Sequence, residues 1–255
     1  MRLPRIAIVA FVMVALFCLP SLIYTGSYIV SDTPVPMEGV EPSPYPDEPL
    51  TEGFLFVVLD GGRKDMMSDP NFMPNLNRRV ADGAYLEVRT NPLTMTAMCV
   101  KEMATGVPSR PNEALQNFHP QHPGSVDGFN LATTHDGDGN GQPDNHVGVI
   151  GDYVWEHLIF DQEKAPFYEA RYGHADYYRG DEEGFEELKR WARGAPPEGH
   201  SIPRNIIVAH LSGLDSVGHR YGALDSPEYE EKLRWIDTNL EEVFQELPDD
   251  WTVVV

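Results

Sequence analysis

At 255 residues with 41% hydrophobic content, the chain is long enough for one sizeable domain with a sound core. Forty acidic residues against 19 basic ones leave a net charge of −21. Such a surface repels nucleic acid and anionic lipid headgroups, which argues against a nucleic-acid partner. Only five of the basic residues are Lys, and the acidic excess fits a protein working in high salt, where dense carboxylates stay hydrated and their repulsion is screened. Two cysteines, Cys18 and Cys99, lie too far apart in character and position to staple a small scaffold. Bulky Phe17 before Cys18 also argues against lipoprotein acylation.

Arg2 and Arg5 precede an uncharged run of 18 residues, Ile6 to Ile23, broken only by Pro20 and Ser21. That length crosses a bilayer as a helix, so residues 1–24 are expected to be an uncleaved membrane anchor. Positive charge before the span and acidic charge after it place the main domain on the extracytoplasmic side. A cleaved signal peptide is the competing reading. Residues 25–53, with six Pro and several carboxylates, read as a linker.

The folded domain is expected over 54–255. Phe54 to Leu59 is a continuous apolar run of the kind found in a central parallel strand, and it ends in Asp60-Gly-Gly-Arg-Lys-Asp65. A second probable strand is Tyr85 to Val88. Ala97 to Ala104 reads as a helix with Gly106 as its C-cap, which puts Thr94 or Thr96 at its N-terminus. A hydroxyl there is either an N-cap or a nucleophile whose alkoxide the helix dipole favours. Asp136, Asp138, Asn140 and Asp144, with Gly141 between them, match the first nine places of a calcium loop, whose twelfth place is Val147 instead of Glu. Val147 to Ile150 is a further apolar strand, followed by Asp152.

Residues Asp181 to Arg193 carry Phe185, Leu188 and Trp191 at helical spacing. Ile206 to Ala209 reads as a buried strand opening into a glycine-punctuated loop that presents Asp215 and His219. A carboxylate and an imidazole beyond a strand end suit a divalent cation; a solvated polar loop is the alternative. Ser226-Pro227 starts a capped helix, with Tyr229, Leu233, Ile236, Leu240, Val243 and Leu247 as its core stripe, and Trp251 to Val255 begins another strand. Strands alternating with helices give an α/β fold, a mainly parallel central sheet flanked by helices and preceded by one transmembrane helix. Asp60, Asp152, Asp215 and His219 all follow strands, where such folds build their sites.

Taken together, Asp60-x-x-Arg63-x-Asp65, the Thr-rich turn before a helix ending Ala104-Thr-Gly106, Gly151-Asp-x-x-Trp155 and His210-Leu-x-Gly-Leu-Asp-x-x-Gly-His219 resemble the alkaline phosphatase superfamily. Within it they are most similar to the glycosylphosphatidylinositol ethanolamine phosphate transferases and the type I phosphodiesterases. The resemblance runs from Phe54 to Val255. It implies a membrane-anchored phosphotransferase or phosphodiesterase acting on a lipid- or glycan-linked phosphoester. It also implies two divalent metal ions, usually zinc, and a Thr nucleophile, which the family's spacing to the Thr-Gly pair places at Thr96. By the same resemblance Asp60 and Thr96 share one metal while Asp215 and His219 bind the other. A Thr at that position argues against the sulfatase branch, which carries Cys or Ser.

In the family, the strand that begins here at Trp251 leads to an Asp-His-Gly motif, and a further His lies downstream. The chain ends before both, so the expectation is a domain truncated at its C-terminal end, with a separately encoded remainder as a partner. The alternative is a catalytically incomplete or non-catalytic relative that serves as a binding or scaffold protein. Residues 110–146 are the expected substrate-pocket insertion.

Overall fold

The computed structural model describes residues 5–30, 51–90, 92, 94–106, 108–111, 113–114, 136, 139–156, 165–170 and 176–255. Helix α1 (Arg5–Val30) runs past the boundary expected near Tyr24. It keeps its course through Pro20, and the Ser21 hydroxyl donates to the Phe17 carbonyl at 2.8 Å in the turn that Pro20 disturbs. Among the described residues no helix is long and apolar enough to cross a membrane.

Five parallel strands form the sheet: β1 (Gly53–Leu59), β2 (Val147–Gly151), β3 (Phe167–Glu169), β4 (Ile206–Leu211) and β5 (Trp251–Val254), in the order β3-β2-β4-β1-β5. Every neighbouring pair is parallel, with Phe54 opposite Ile206 and Leu59 opposite Leu211 in the central pair. The apolar runs of β1, β2 and β4 follow from this topology, since helices cover both faces and leave no room for alternation. Residues 85–88, expected as a strand, form none. Leu86 and Val88 are each 82% exposed, and the segment pairs with no described strand.

One face of the sheet carries α5 (Arg179–Ala192) and α7 (Pro227–Glu246), packed on Leu55, Val57, Ile150, Ile207 and Ala209. Short helices α2 (Lys64–Met67) and α3 (Pro74–Val80) join this layer. The Asp237 carboxylate of α7 caps α3, accepting the Asn75 and Leu76 backbone N–H groups at 2.9 and 2.8 Å. On α7 itself, Ser226 accepts the Tyr229 N–H and Pro227 opens the first turn, as expected. Residues 229, 233, 236, 240 and 243 of its stripe are fully buried.

The other face carries α4 (Thr96–Thr105) over Val147, Val149, Val154, Trp155 and Val208. A buried ion pair, Lys101 with Glu113 at 2.7 Å, fastens α4 to the segment that follows it. The glycine-rich stretch after β4 is the largest departure from expectation. It is not a loop but helix α6 (Gly213–Tyr221), so Asp215 and His219 stand one turn apart on a single helical face. Both cysteines are free.

Candidate active site

All the candidate ligands that are described lie at the carboxyl end of the sheet, except those of the calcium-like loop. Asp60 follows the last residue of β1, and its backbone N–H donates to the Leu211 carbonyl of β4 at 3.0 Å. Gly61 then turns with φ +72, and a Cβ built on it would sit 2.7 Å from the Asp215 Cα. Only a glycine lets the Asp60 loop pass so close to the first turn of α6, which sets Asp60 and Asp215 side by side. Fully buried Tyr229 locks this turn from below. Its hydroxyl donates to the Gly61 carbonyl at 2.7 Å and accepts the Arg63 backbone N–H at 3.0 Å. Arg63 and Asp65, also singled out by their spacing, pair with each other, and the Arg63 guanidinium reaches the Ala223 carbonyl. They brace the loop.

Gly61→Ala is therefore expected to force this turn open. A strained left-handed residue and a backbone clash together cost on the order of 1–3 kcal/mol, readable as a lower urea midpoint. Displacing Asp60 from its place beside Asp215 also weakens cation binding at this end of the sheet, and calorimetric zinc titration measures that second effect. An unchanged urea midpoint and unchanged zinc affinity would contradict the assignment.

Thr96 opens α4 as its first helical residue, and it is not the N-cap. That position belongs to Met95, which makes no side-chain cap. The Thr96 hydroxyl instead donates across the sheet end to Asp60 Oδ2 at 3.1 Å. The same oxygen lies 3.3 Å from His210 Nε2. This is a close contact whose angle falls short of a hydrogen bond, since His210 Nε2 has no hydrogen-bond partner in the structure. The other ring nitrogen, Nδ1, accepts the Trp155 indole N–H at 2.9 Å. An accepting Nδ1 leaves the proton on Nε2, the ring nitrogen nearer Asp60. Burial alone would raise the Asp60 pKa; the His210 contact, the Thr96 hydroxyl and the Gly61 N–H overcome it and hold the carboxyl below its ordinary value.

His210 and Trp155 escaped the sequence-based list of site residues, although both stand in its motifs. The signal was available: His210 is the one ionisable residue in a strand that is otherwise apolar, Ile206–Leu211. Gly151, with φ +131, lets the backbone before Trp155 pass against the His210 carbonyl. Asp152 does not join the site as a ligand. It caps the 3₁₀ turn Tyr153–Trp155 through the Val154 N–H and thereby aims Trp155.

On α6, His219 Nε2 lies 3.5 Å from Asp215 Oδ2, with the imidazole largely exposed. The donors at this end, two carboxylates, an imidazole and a hydroxyl, fit a divalent cation in kind. Among the described residues, no three His, Cys, Asp or Glu side chains already converge closely enough to hold an ion. In the calcium-like loop, Asp138 lies outside the described residues. The Asp136 carboxylate accepts the Asn140 and Gly141 N–H groups at 3.0 and 2.8 Å, and the Asn140 side chain accepts from Gln142 N–H. Those oxygens organise their own turn.

The type I phosphodiesterase / nucleotide pyrophosphatase family matches residues 54–255, the whole of the sheet and both helical layers. The chain belongs to this family. It is a branch of the alkaline phosphatase superfamily. No curated protein matches the chain. Family membership supports a phosphoester-hydrolysing function of the alkaline phosphatase kind, and the family is in general dependent on divalent metal.

Proposed function

We propose that the chain is a membrane-anchored, metal-dependent phosphodiesterase or phosphotransferase in which Thr96 is the nucleophile. One observation carries the reading: Thr96 Oγ1 sits at the first turn of α4 and donates to the half-buried Asp60 carboxylate 3.1 Å away. Unpaired N–H groups of that turn favour negative charge on the oxygen. Asp60, held in its charged form, draws the hydroxyl proton away from Oγ1, and His210, fixed by Trp155, keeps Asp60 from turning.

Attack by Oγ1 on the phosphorus forms the Thr–O–P bond and breaks the bond to the leaving alcohol, which takes up a proton. Attack by water on phospho-Thr96 restores the hydroxyl and releases a phosphomonoester. When an acceptor alcohol replaces water, the same two steps transfer the group, which is the phosphoethanolamine-transferase version of the reading. Asp60 with Thr96 would hold one divalent cation, and Asp215 with His219 a second. The oxygen and nitrogen donor set suits zinc. Bound there, the ions supply positive charge that lowers the hydroxyl pKa and braces the attacking and leaving oxygens.

The test is turnover of bis(4-nitrophenyl) phosphate by the full chain. Activity is expected to vanish after chelation and to return on adding zinc. Turnover that survives exhaustive chelation would sink the metal-dependent reading. A non-catalytic relative is the second reading, favoured by the absence of a ready three-ligand cluster among the described residues. No turnover at saturating zinc would select it.

Membrane placement rests on α1, whose segment from Ile6 to Val30 contains no charged residue, and on large apolar side chains there that face solvent, such as Phe11 and Phe17. The domain would then face the extracytoplasmic side, where a lipid- or glycan-linked phosphoester is within reach. The full chain is expected to sediment with membranes until detergent is added, and to stay soluble once residues 1–30 are deleted. A full chain that stays in the supernatant removes the anchor.

A further inference from the structure

At the opposite rim of the sheet, before β1 and β4, lies a cavity of about 440 Å³ lined by Trp191, Arg204, Asn205, Glu246 and Trp251, with Glu52 among its rim residues. β1 spans seven residues between this rim and Asp60, so the two ends are about 20 Å apart. Arg204 is 5% exposed, and no hydrogen bond or ion pair reaches it among the described residues. Burial pulls its pKa down, and no carboxylate counters that pull. Trp191, 1% exposed, also buries an indole N–H with no acceptor. The two side chains pack over one strand residue: a Cβ at Gly148 would lie 2.6 Å from Trp191 Cζ3 and 2.9 Å from Arg204 Cγ. The nearest titrating neighbours, His146 and His200, are held below their ordinary values by burial first and then by the Arg204 charge.

A guanidinium buried without a counter-charge is among the most expensive groups to keep in a folded protein. It is also planar, permanently charged and shaped to take an oxyanion with two parallel hydrogen bonds. In a chain of net charge −21, with 40 acidic residues from which to draw a partner, a buried arginine unpaired among the described residues and beside a cavity calls for a ligand. We propose that the cavity is a binding site for a small oxyanion, phosphate or carboxylate, held by the Arg204 fork. The site is separate from the Thr96 end of the sheet and stands whether or not that end is catalytic.

The experiment is thermal unfolding of the full chain in detergent, with chelator present, at fixed ionic strength, as chloride is exchanged for inorganic phosphate or for acetate. Wild type is expected to gain melting temperature saturably with one of the two anions, the arm that responds naming the preferred chemistry. Arg204→Met is expected to show no gain while melting at or above wild type in chloride alone, because it removes an uncompensated charge. Arg204→Lys keeps the charge and the stem but loses the fork, and is expected to bind at least tenfold more weakly. An equal gain in wild type and both variants would mean a non-specific salt effect and overturn the site. So would no gain with either anion, or an Arg204→Met chain that melts far below wild type in chloride.

Discussion

Thr96→Ala is expected to remove phosphodiester turnover by a factor of at least about 10³ while leaving the fold intact. Losing a covalent nucleophile removes both steps at once, and what remains is binding and electrostatics alone, worth on the order of 10³–10⁴ over water. Structurally the change is small: the hydroxyl makes one bond, to Asp60, and Thr96 does not serve as the helix N-cap. Stability should therefore fall by no more than about 1 kcal/mol, the worth of a single part-buried hydrogen bond. Burst kinetics and a urea titration on the same preparation separate the two effects. Turnover retained within tenfold of wild type would assign the attack to another group.

Lys232→Met should have the largest effect on stability. Lys232 and Asp181 are 0% and 1% exposed at their side chains and lie 2.8 Å apart. The ammonium also sits over the Tyr178 and Trp235 rings, 4.2 and 4.0 Å from their centres. Burial lowers the Lys232 pKa, and Asp181 counters it. Asp181 in turn accepts the Gly213 N–H at 3.1 Å and so sets the start of α6. Removing only the cation strands a buried carboxylate at a cost of about 3–5 kcal/mol, a large part of the roughly 5–15 kcal/mol that holds a domain together. Adding Asp181→Asn to Lys232→Met should restore much of the loss, because an amide oxygen can still accept from Gly213 without carrying charge. Equal urea midpoints for the single and double variants would show that the pair is not the cause.

How far the sequence disclosed this arrangement varies by element. The strands at 53–59, 147–151 and 206–211 were readable because burial on both faces leaves an uninterrupted apolar run, and the edge strand at 251–254 because its residues are aromatic or β-branched. β3 was not, since its three residues, Phe167 to Glu169, include an exposed Glu and give no periodicity to read. Tyr85 to Val88 misled for the opposite reason: β-forming residues alternate there, yet no neighbour completes a ladder. Glycines at 213 and 218 read as loop punctuation. In fact both sit inside α6, and only Gly213 is there for want of space. A Cβ at Gly213 would collide with Asp181 and the Tyr177 carbonyl, and Gly218 faces the Tyr229 ring. At the site, the ligand-type residues were legible from their places after strands. The His210 and Trp155 support was not, because a polar side chain buried on a strand announces a partner without naming it.

The strand order carries a consequence for the birth of the chain. β1, an inner strand of the sheet, pairs among the described residues with β4 and β5, beginning at residues 206 and 251. At about 5–20 residues per second, a ribosome needs roughly 10 seconds or more to supply the first of these partners. Through that interval Phe54 to Leu59 is an unpaired apolar strand with no local alternative. Contacts this distant in sequence also close slowly on their own. The four-fifths of the chain made before β4 therefore has to be sheltered, by chaperones or by its own acidic repulsion, until the partner strand emerges.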